Sequence, residues 1–184
     1  MTSAQPTLHT ERLILRPLVA ADAPLVQRLA GARAVADTTL AIPHPYPDGA
    51  AETWIQGHAP AFAAGTRASF AIVHRADDFL IGVMGLVIDP GHLRAELGYW
   101  IGEGYWGRGY ATEGGRAILD CGFASLKLHR IHAQHMVRNP ASGRVLQKLG
   151  MRFEGIHRHA VRKWGVFEDL AQYAALVTEW PPAG

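Results

Sequence analysis

The chain has 184 residues, 48% hydrophobic and 18% charged, with a formal net charge of +2. That apolar content suffices for one core of ordinary domain size and excludes a disordered or fibrous chain. The lone Cys121 excludes an intramolecular disulfide, and no apolar run suits a signal segment or membrane span, so a reducing cytoplasm is the expected compartment. Charge is uneven along the sequence. Residues 108–163 carry eleven Lys+Arg against three Asp+Glu, a balance of +8, and the remainder carries −6. An anionic partner fits this asymmetry, whether a phosphate-bearing cofactor or RNA, and so does a solvated arginine-rich face.

No internal repeat, low-complexity tract or linker divides the chain. Asp22 is placed to cap a helix with Pro24 in its first turn and Leu25, Val26 and Leu29 on one face. The proline-rich residues 42–49 read as a loop, either a wall of a substrate pocket or a plain connection. A second helix is expected over 50–63, with Gly57 and Pro60 as its weak points. Residues 70–73 and 79–88 are strand-like, and the second run is apolar on both alternating faces, as a central covered strand should be. After the turn signal Asp89-Pro90-Gly91, residues 93–101 form a further strand.

A glycine-dense turn, Ile101-Gly-Glu-Gly-Tyr-Trp-Gly-Arg-Gly-Tyr-Ala111, then opens a helix whose face is Ala111, Gly115, Ile118, Leu119, Gly122, Phe123 and Leu126. Cys121 falls inside this helical pattern and reads as structural. A strand over 131–137, a short helix and a hairpin of 152–160 with 167–177 around Lys163-Trp-Gly165 complete the order. The class is α/β with a mixed sheet.

Strand, glycine turn and helix make an anion site, because unobstructed N–H groups converge at the positive end of the helix dipole. Gly102, Gly104 and Gly107 match a dinucleotide fingerprint. The acidic residue at about the right distance, Asp120, lies within a helix rather than at a strand end, and no phosphate-loop lysine is present.

Trp106-Gly-Arg-Gly-Tyr-Ala111 with Thr112-Glu113 resembles the pyrophosphate loop of the GCN5-related N-acetyltransferases (GNAT), in the ribosomal-protein alanine acetyltransferase (RimJ/RimL-like) branch. Asn139, Ser142 and Lys148-Leu-Gly150 resemble that branch's second signature, Thr10-Glu-Arg-Leu-Ile-Leu-Arg-Pro17 its first strand, and Phe167-Glu-Asp169 through Glu179-Trp180 its last. Four motifs in order span residues 10 to 180.

The resemblance implies a single-domain GNAT fold over residues 8–180 with short termini 1–7 and 181–184. The central sheet would be mixed, mostly antiparallel, with helices on both faces. It also implies direct acetyl transfer from acetyl-CoA to a primary amine through a ternary complex, without a metal. Cofactor contacts would come from Tyr99, Trp100 and Ile101 beside the pantetheine, from the loop residues Trp106, Gly107, Arg108, Gly109, Tyr110, Ala111 and Thr112, and from Asn139 and Ser142. Trp106 departs from the family, which usually has Gln or Arg there.

Leu146 occupies the place where many acetyltransferases carry a tyrosine donor, which leaves Ser142 as the candidate acid for the departing thiolate. Its hydroxyl could equally be satisfied by a local carbonyl. Glu96 is the candidate base for the amine, or else a partner of Arg94 or Arg130. His129, His132 and His135 do not converge on a metal, since His132 faces away from the other two on a strand. His157 and His159 read as surface residues or the lining of an acceptor groove.

The acceptor stays open between a protein or peptide N-terminal amine and a small-molecule amine; neither nucleic acid nor membrane is expected, and the chain is a monomer or homodimer. A non-catalytic acyl-CoA-binding or protein-interaction module on the same fold is the alternative, and an RNA-binding domain using the basic half is a third reading.

Overall fold

The computed structural model describes residues 4–181; the outermost residues of the expected termini, 1–3 and 182–184, lie outside the described residues. Two short strands, β1 (Leu8–His9) and β2 (Leu13–Pro17), precede four helices: α1 (Ala23–Ala30), α2 (Arg33–Asp37), α3 (Ala50–Gln56) and α4 (His58–Ala63). Strands β3 (Arg67–His74), β4 (Phe79–Asp89) and β5 (Arg94–Ile101) follow, then α5 (Tyr110–Asp120), β6 (Arg130–Met136), α6 (Pro140–Lys148), β7 (Arg152–Lys163) and β8 (Val166–Leu176).

The strands form an eight-stranded sheet in the order β1-β2-β3-β4-β5-β6-β8-β7, antiparallel except where β5 meets β6. β4 lies near its centre, as its double apolar face requires. Alternate side chains feed two cores. Phe70, Ile72, Met84 and Leu97 pack with Ile118 and Leu119 of α5 and Leu146 of α6. Ala71, Val83 and Trp100 pack on the other face with Val26 and Ala30 of α1, Val35 of α2 and Ile55 of α3. Among the described residues, no helix is long and apolar enough to cross a membrane.

Local chemistry explains most departures from the expected elements. Asp22 does not cap α1; its carboxylate accepts the Val19 N–H and holds Arg16 through two bonds of 2.8 Å, closing a short 3-10 turn instead. The helix expected over 50–63 is broken at Gly57 into α3 and α4. Helix α2 carries no cap or periodic signal and was not foreseen. Cys121 is buried at the end of α5, where the helix widens into a π turn over Cys121–Ser125, and burial raises its thiol pKa. The last hairpin closes with Trp164 and Gly165, both at positive φ, in a two-residue turn, and β8 rather than β7 enters the sheet beside β6.

Candidate active site

The site begins where the sheet opens. β5 and β6 are paired only from Arg94 to Glu96 against Arg130 to His132. Beyond that, β5 stays with β4 through Ile101, while β6 stays with β8 through Met136, so the two strands diverge. The wedge leads into a cleft of about 820 Å³. Gly102 donates its N–H to the Ile81 carbonyl at 2.8 Å, so the alternation turns the main chain of Trp100 toward β4 and that of Leu97, Tyr99 and Ile101 toward the wedge. Of the three residues expected beside a pantetheine, Tyr99 has main-chain groups on the wedge side that are unpaired among the described residues. Ile101 has its carbonyl taken by the Trp106 indole N–H at 2.7 Å. Trp100 lines the cleft with its side chain and does not turn its main chain toward it.

The glycine turn ends in Gly107 and Gly109, at φ +73° and +83°, a conformation that L side chains rarely adopt. Gly109 caps α5, an eleven-residue helix whose first N–H groups therefore face the wedge. Nothing lies within 4 Å of the point where a Gly107 side chain would begin. These features fit a pyrophosphate. Trp106, Gly107, Gly109, Tyr110, Ala111 and Thr112 all line the cleft; Arg108 does not. The Tyr110 phenol points away from it, to His74 Nε2 at 3.1 Å, beneath the Arg12 guanidinium.

A brace that no motif or spacing announces holds the loop. Glu113, in the first turn of α5, accepts hydrogen bonds from the Thr10 hydroxyl (2.6 Å), the Arg12 N–H (2.8 Å) and Arg12 Nε (2.7 Å), while Arg12 Nη1 donates to the Arg108 carbonyl at 3.0 Å. These bonds hold the Glu113 carboxyl below its ordinary pKa against the opposing effect of burial. Thr10 and Arg12 belong to the motif read as a first strand; its polar residues are fasteners for the loop.

Two faces of β5 carry different chemistry. On the α5/α6 face, the Tyr99 hydroxyl and Ser142 Oγ share a hydrogen bond of 2.7 Å, with the Ser142 N–H donated to Asn139 Oδ1 at 3.3 Å. Ser142 is thus satisfied by a phenol from another element rather than by a local carbonyl. Burial raises the Tyr99 pKa, with the Ser142 bond opposing, so the phenol stays protonated near neutral pH.

Opposite, on the α1–α3 face, Glu96 stands at the last paired position before the wedge. It pairs with neither Arg94 nor Arg130, which hold Asp89 and Glu154. Gln134 Nε2 donates to it at 3.1 Å, and His132 Nε2 lies 4.0 Å away. Its side chain is 43% exposed, so the cost expected of a carboxylate buried in a central strand does not arise. Burial lowers the His132 pKa, with Glu96 opposing. His135 faces α6 instead, its Nε2 against Gly143.

Of the loop 42–49, Ile42, Pro43 and Tyr46 line the cleft, together with Thr38 to Ala41 just before it and Trp54 of α3. The tip of the last hairpin holds this loop in place. Lys163 Nζ donates to the Ile42 carbonyl at 3.2 Å, Trp164 lies under Arg33, and Arg138 joins Asp37 to Glu168. Asp120 accepts the Trp180 indole N–H at 2.7 Å, far from the role a dinucleotide fold would give it. Of the basic excess, Arg130, Arg138 and Arg152 hold carboxylates, and Arg144 and Lys148 of α6 line the cleft.

The sheet thus splits beside a glycine-capped helix, with a pair of hydroxyls on one face of β5 and a carboxylate on the other. Residues 12–152 match the family described as Acetyltransferase (GNAT) domain. The uncharacterized N-acetyltransferase p20 of Bacillus licheniformis is 32% identical over 176 residues, covering 95% of this chain and 98% of that protein. The ribosomal-protein-serine acetyltransferase of Escherichia coli (strain K12) is 30% identical over 102 residues, 55% of this chain and 57% of that one. The crystal structure of a GNAT-family acetyltransferase from Bacillus anthracis superposes with a TM-score of 0.84 at 26% identity, covering 95% of this chain and all of that one. The chain belongs to the GNAT acetyltransferase family and is an acetyltransferase that uses acetyl-CoA.

Proposed function

We propose that this protein, as one catalytic domain over residues 8–180, transfers acetyl directly to a primary amine in a ternary complex. Bound acetyl-CoA supplies the activated thioester. The observation that carries the reading is the placement of Glu96 and of the Tyr99–Ser142 pair on opposite faces of β5 at the wedge. An amine entering from the α1–α3 side meets a carboxylate able to take its proton, directly or through water. A sulfur leaving toward α6 meets a hydroxyl that Tyr99 can reprotonate. Ser142 is the acid nearest the thiolate and Tyr99 stands behind it.

Cofactor binding falls to the main chain of Gly107 to Ala111, the Thr112 hydroxyl and the strand groups of Tyr99, with Asn139 holding the start of α6. Arg144 and Lys148 face the cleft as counter-charges for its phosphates. For the acceptor, an α-amine of pKa about 7.7–8.0 is substantially neutral near physiological pH, whereas a lysine of pKa about 10.4 is neutral about once in 10³. An N-terminal α-amine therefore reaches its neutral form most readily, and a more basic amine depends on Glu96 to take its proton.

Calorimetric titration with acetyl-CoA, with NAD and ATP as controls, tests the cofactor, and a panel of peptide N-termini and small amines tests the reaction. Selective acetyl-CoA binding with turnover is the expected result. Acetyl-CoA binding without turnover on any amine would instead indicate the non-catalytic module.

A further inference from the structure

Arg67, in the floor of the acceptor cleft, is a charge that the proposed reaction leaves idle. Arg67 of β3 pairs with Val87 of β4, and Val87 pairs with Glu96 of β5, so the three stand abreast in one row across the sheet. Directly opposed residues share a face. Arg67 and Glu96 therefore both point to the α1–α3 side, and both line the cleft. Two strand spacings set their Cα atoms about 10 Å apart.

Three features suggest that something outside the chain fills the space between them. Among the described residues the Arg67 guanidinium has neither an ion pair nor a hydrogen bond, and the other long basic side chains of the cleft, Arg144 and Lys148, belong to α6 on the opposite face of the sheet from Glu96. The neighbouring row of the floor is Ser69, Gly85 and Gly98, and nothing lies within 4 Å of where a Gly98 side chain would begin. Glu96 is also the one carboxylate among the cleft-lining residues. A polycationic acceptor would find a single counter-charge here, while an acceptor with an anionic group would find an unpaired guanidinium, whose planar fork matches a carboxylate.

We propose that Arg67 binds a carboxylate carried by the acceptor, which is then a small aminocarboxylate lying across β4 with its amine at Glu96. This rests on the reading of Glu96 as the residue that meets the amine.

The test is a length series of glycine, β-alanine, 4-aminobutyrate and 6-aminohexanoate, each compared with its matching alkylamine, in wild type, Arg67→Gln and Arg67→Lys. At one or more lengths the ratio of kcat/KM, acid over alkylamine, is expected to fall about tenfold to a hundredfold in Arg67→Gln, as loss of one charge-assisted pair implies. The fall should reside in KM for the acid, with partial recovery in Arg67→Lys. Unchanged acetyl-CoA affinity reports intact folding. Equilibrium dialysis of the same acids against the CoA-saturated protein reads Arg67 without turnover. Amine turnover with the same ratio in wild type and Arg67→Gln would overturn this proposal and leave the reaction standing. Arg67-dependent binding without turnover would do the reverse. Absence of both binding and turnover across the series overturns it as well.

Discussion

Ser142 and Tyr99 lie 43 residues apart in sequence, yet their hydroxyls share a 2.7 Å hydrogen bond. Leu146, one turn beyond Ser142, is fully buried in the core beneath α6 and has no proton to give, so the proposed mechanism assigns the donor on this face to the Tyr99–Ser142 pair. Ser142→Ala is expected to lower kcat by about 10²-fold, within the range of general-acid contributions, with acetyl-CoA affinity largely intact. Tyr99→Phe should lower kcat too, and the double variant should cost less than the two separate losses multiplied, because both residues serve one proton path. Pre-steady-state rates and calorimetry check both; unchanged turnover in Ser142→Ala would remove it from the mechanism. On the opposite face, Glu96→Gln should lose turnover at neutral pH and regain it as rising pH deprotonates the amine in solution. A pH-independent loss would count against the base role. Ser142 and Glu96 are legible in the sequence as candidates, but their partners are not. Tyr99, Gln134 and His132 reach them through strand register and helix packing, which no short spacing encodes.

The turn before α5 is held at both ends: Trp106 fastens it to the end of β5, and Glu113 and Arg12 fasten it to β2. Glu113→Ala strands the Thr10 hydroxyl, the Arg12 N–H and the Arg12 guanidinium together. It is expected to cost about 2 kcal/mol of stability and to weaken acetyl-CoA binding, as read by urea unfolding and calorimetry. A variant that loses neither would show that the loop holds its shape alone. Among the elements, the strands and α5 were readable because their apolar periods are long and regular. Helix α2 is five residues with no cap, so periodicity could not reveal it, whereas the break between α3 and α4 falls at Gly57, one of the two weak points that residue type marks. Asp22 has the identity of a helix cap, but the nearby Arg16 guanidinium engages its carboxylate.

Across the whole molecule, stability and pH are linked through His58. It is 5% exposed, packed edge-on against Trp54, and neither ring nitrogen has a hydrogen-bond partner among the described residues. Burial, aided by Arg67, lowers its pKa to about 4. The folded state therefore holds it neutral while the unfolded chain binds a proton below about pH 6.5. Stability is fully present above that pH and is lost as pH falls toward 4, by about 3 kcal/mol at the limit. His58→Leu should flatten this part of the stability curve, measured by denaturant unfolding from pH 7 to 4; an equally steep fall in the variant would assign the pH dependence to other groups.

The sequence by itself determined the class of fold, the glycine turn that suits a pyrophosphate, and the residue types available for proton transfer. Those features depend on local conformation and on periodicity along a continuous stretch. Only the tertiary structure decided how β5 and β6 part, which face each group occupies, and that Arg67 and Glu96 stand in one row. The cause is physical: each of the two central strands keeps its other neighbour beyond the last shared pair. The wedge is therefore set by pairings between segments distant in sequence, and the site lies where those pairings stop.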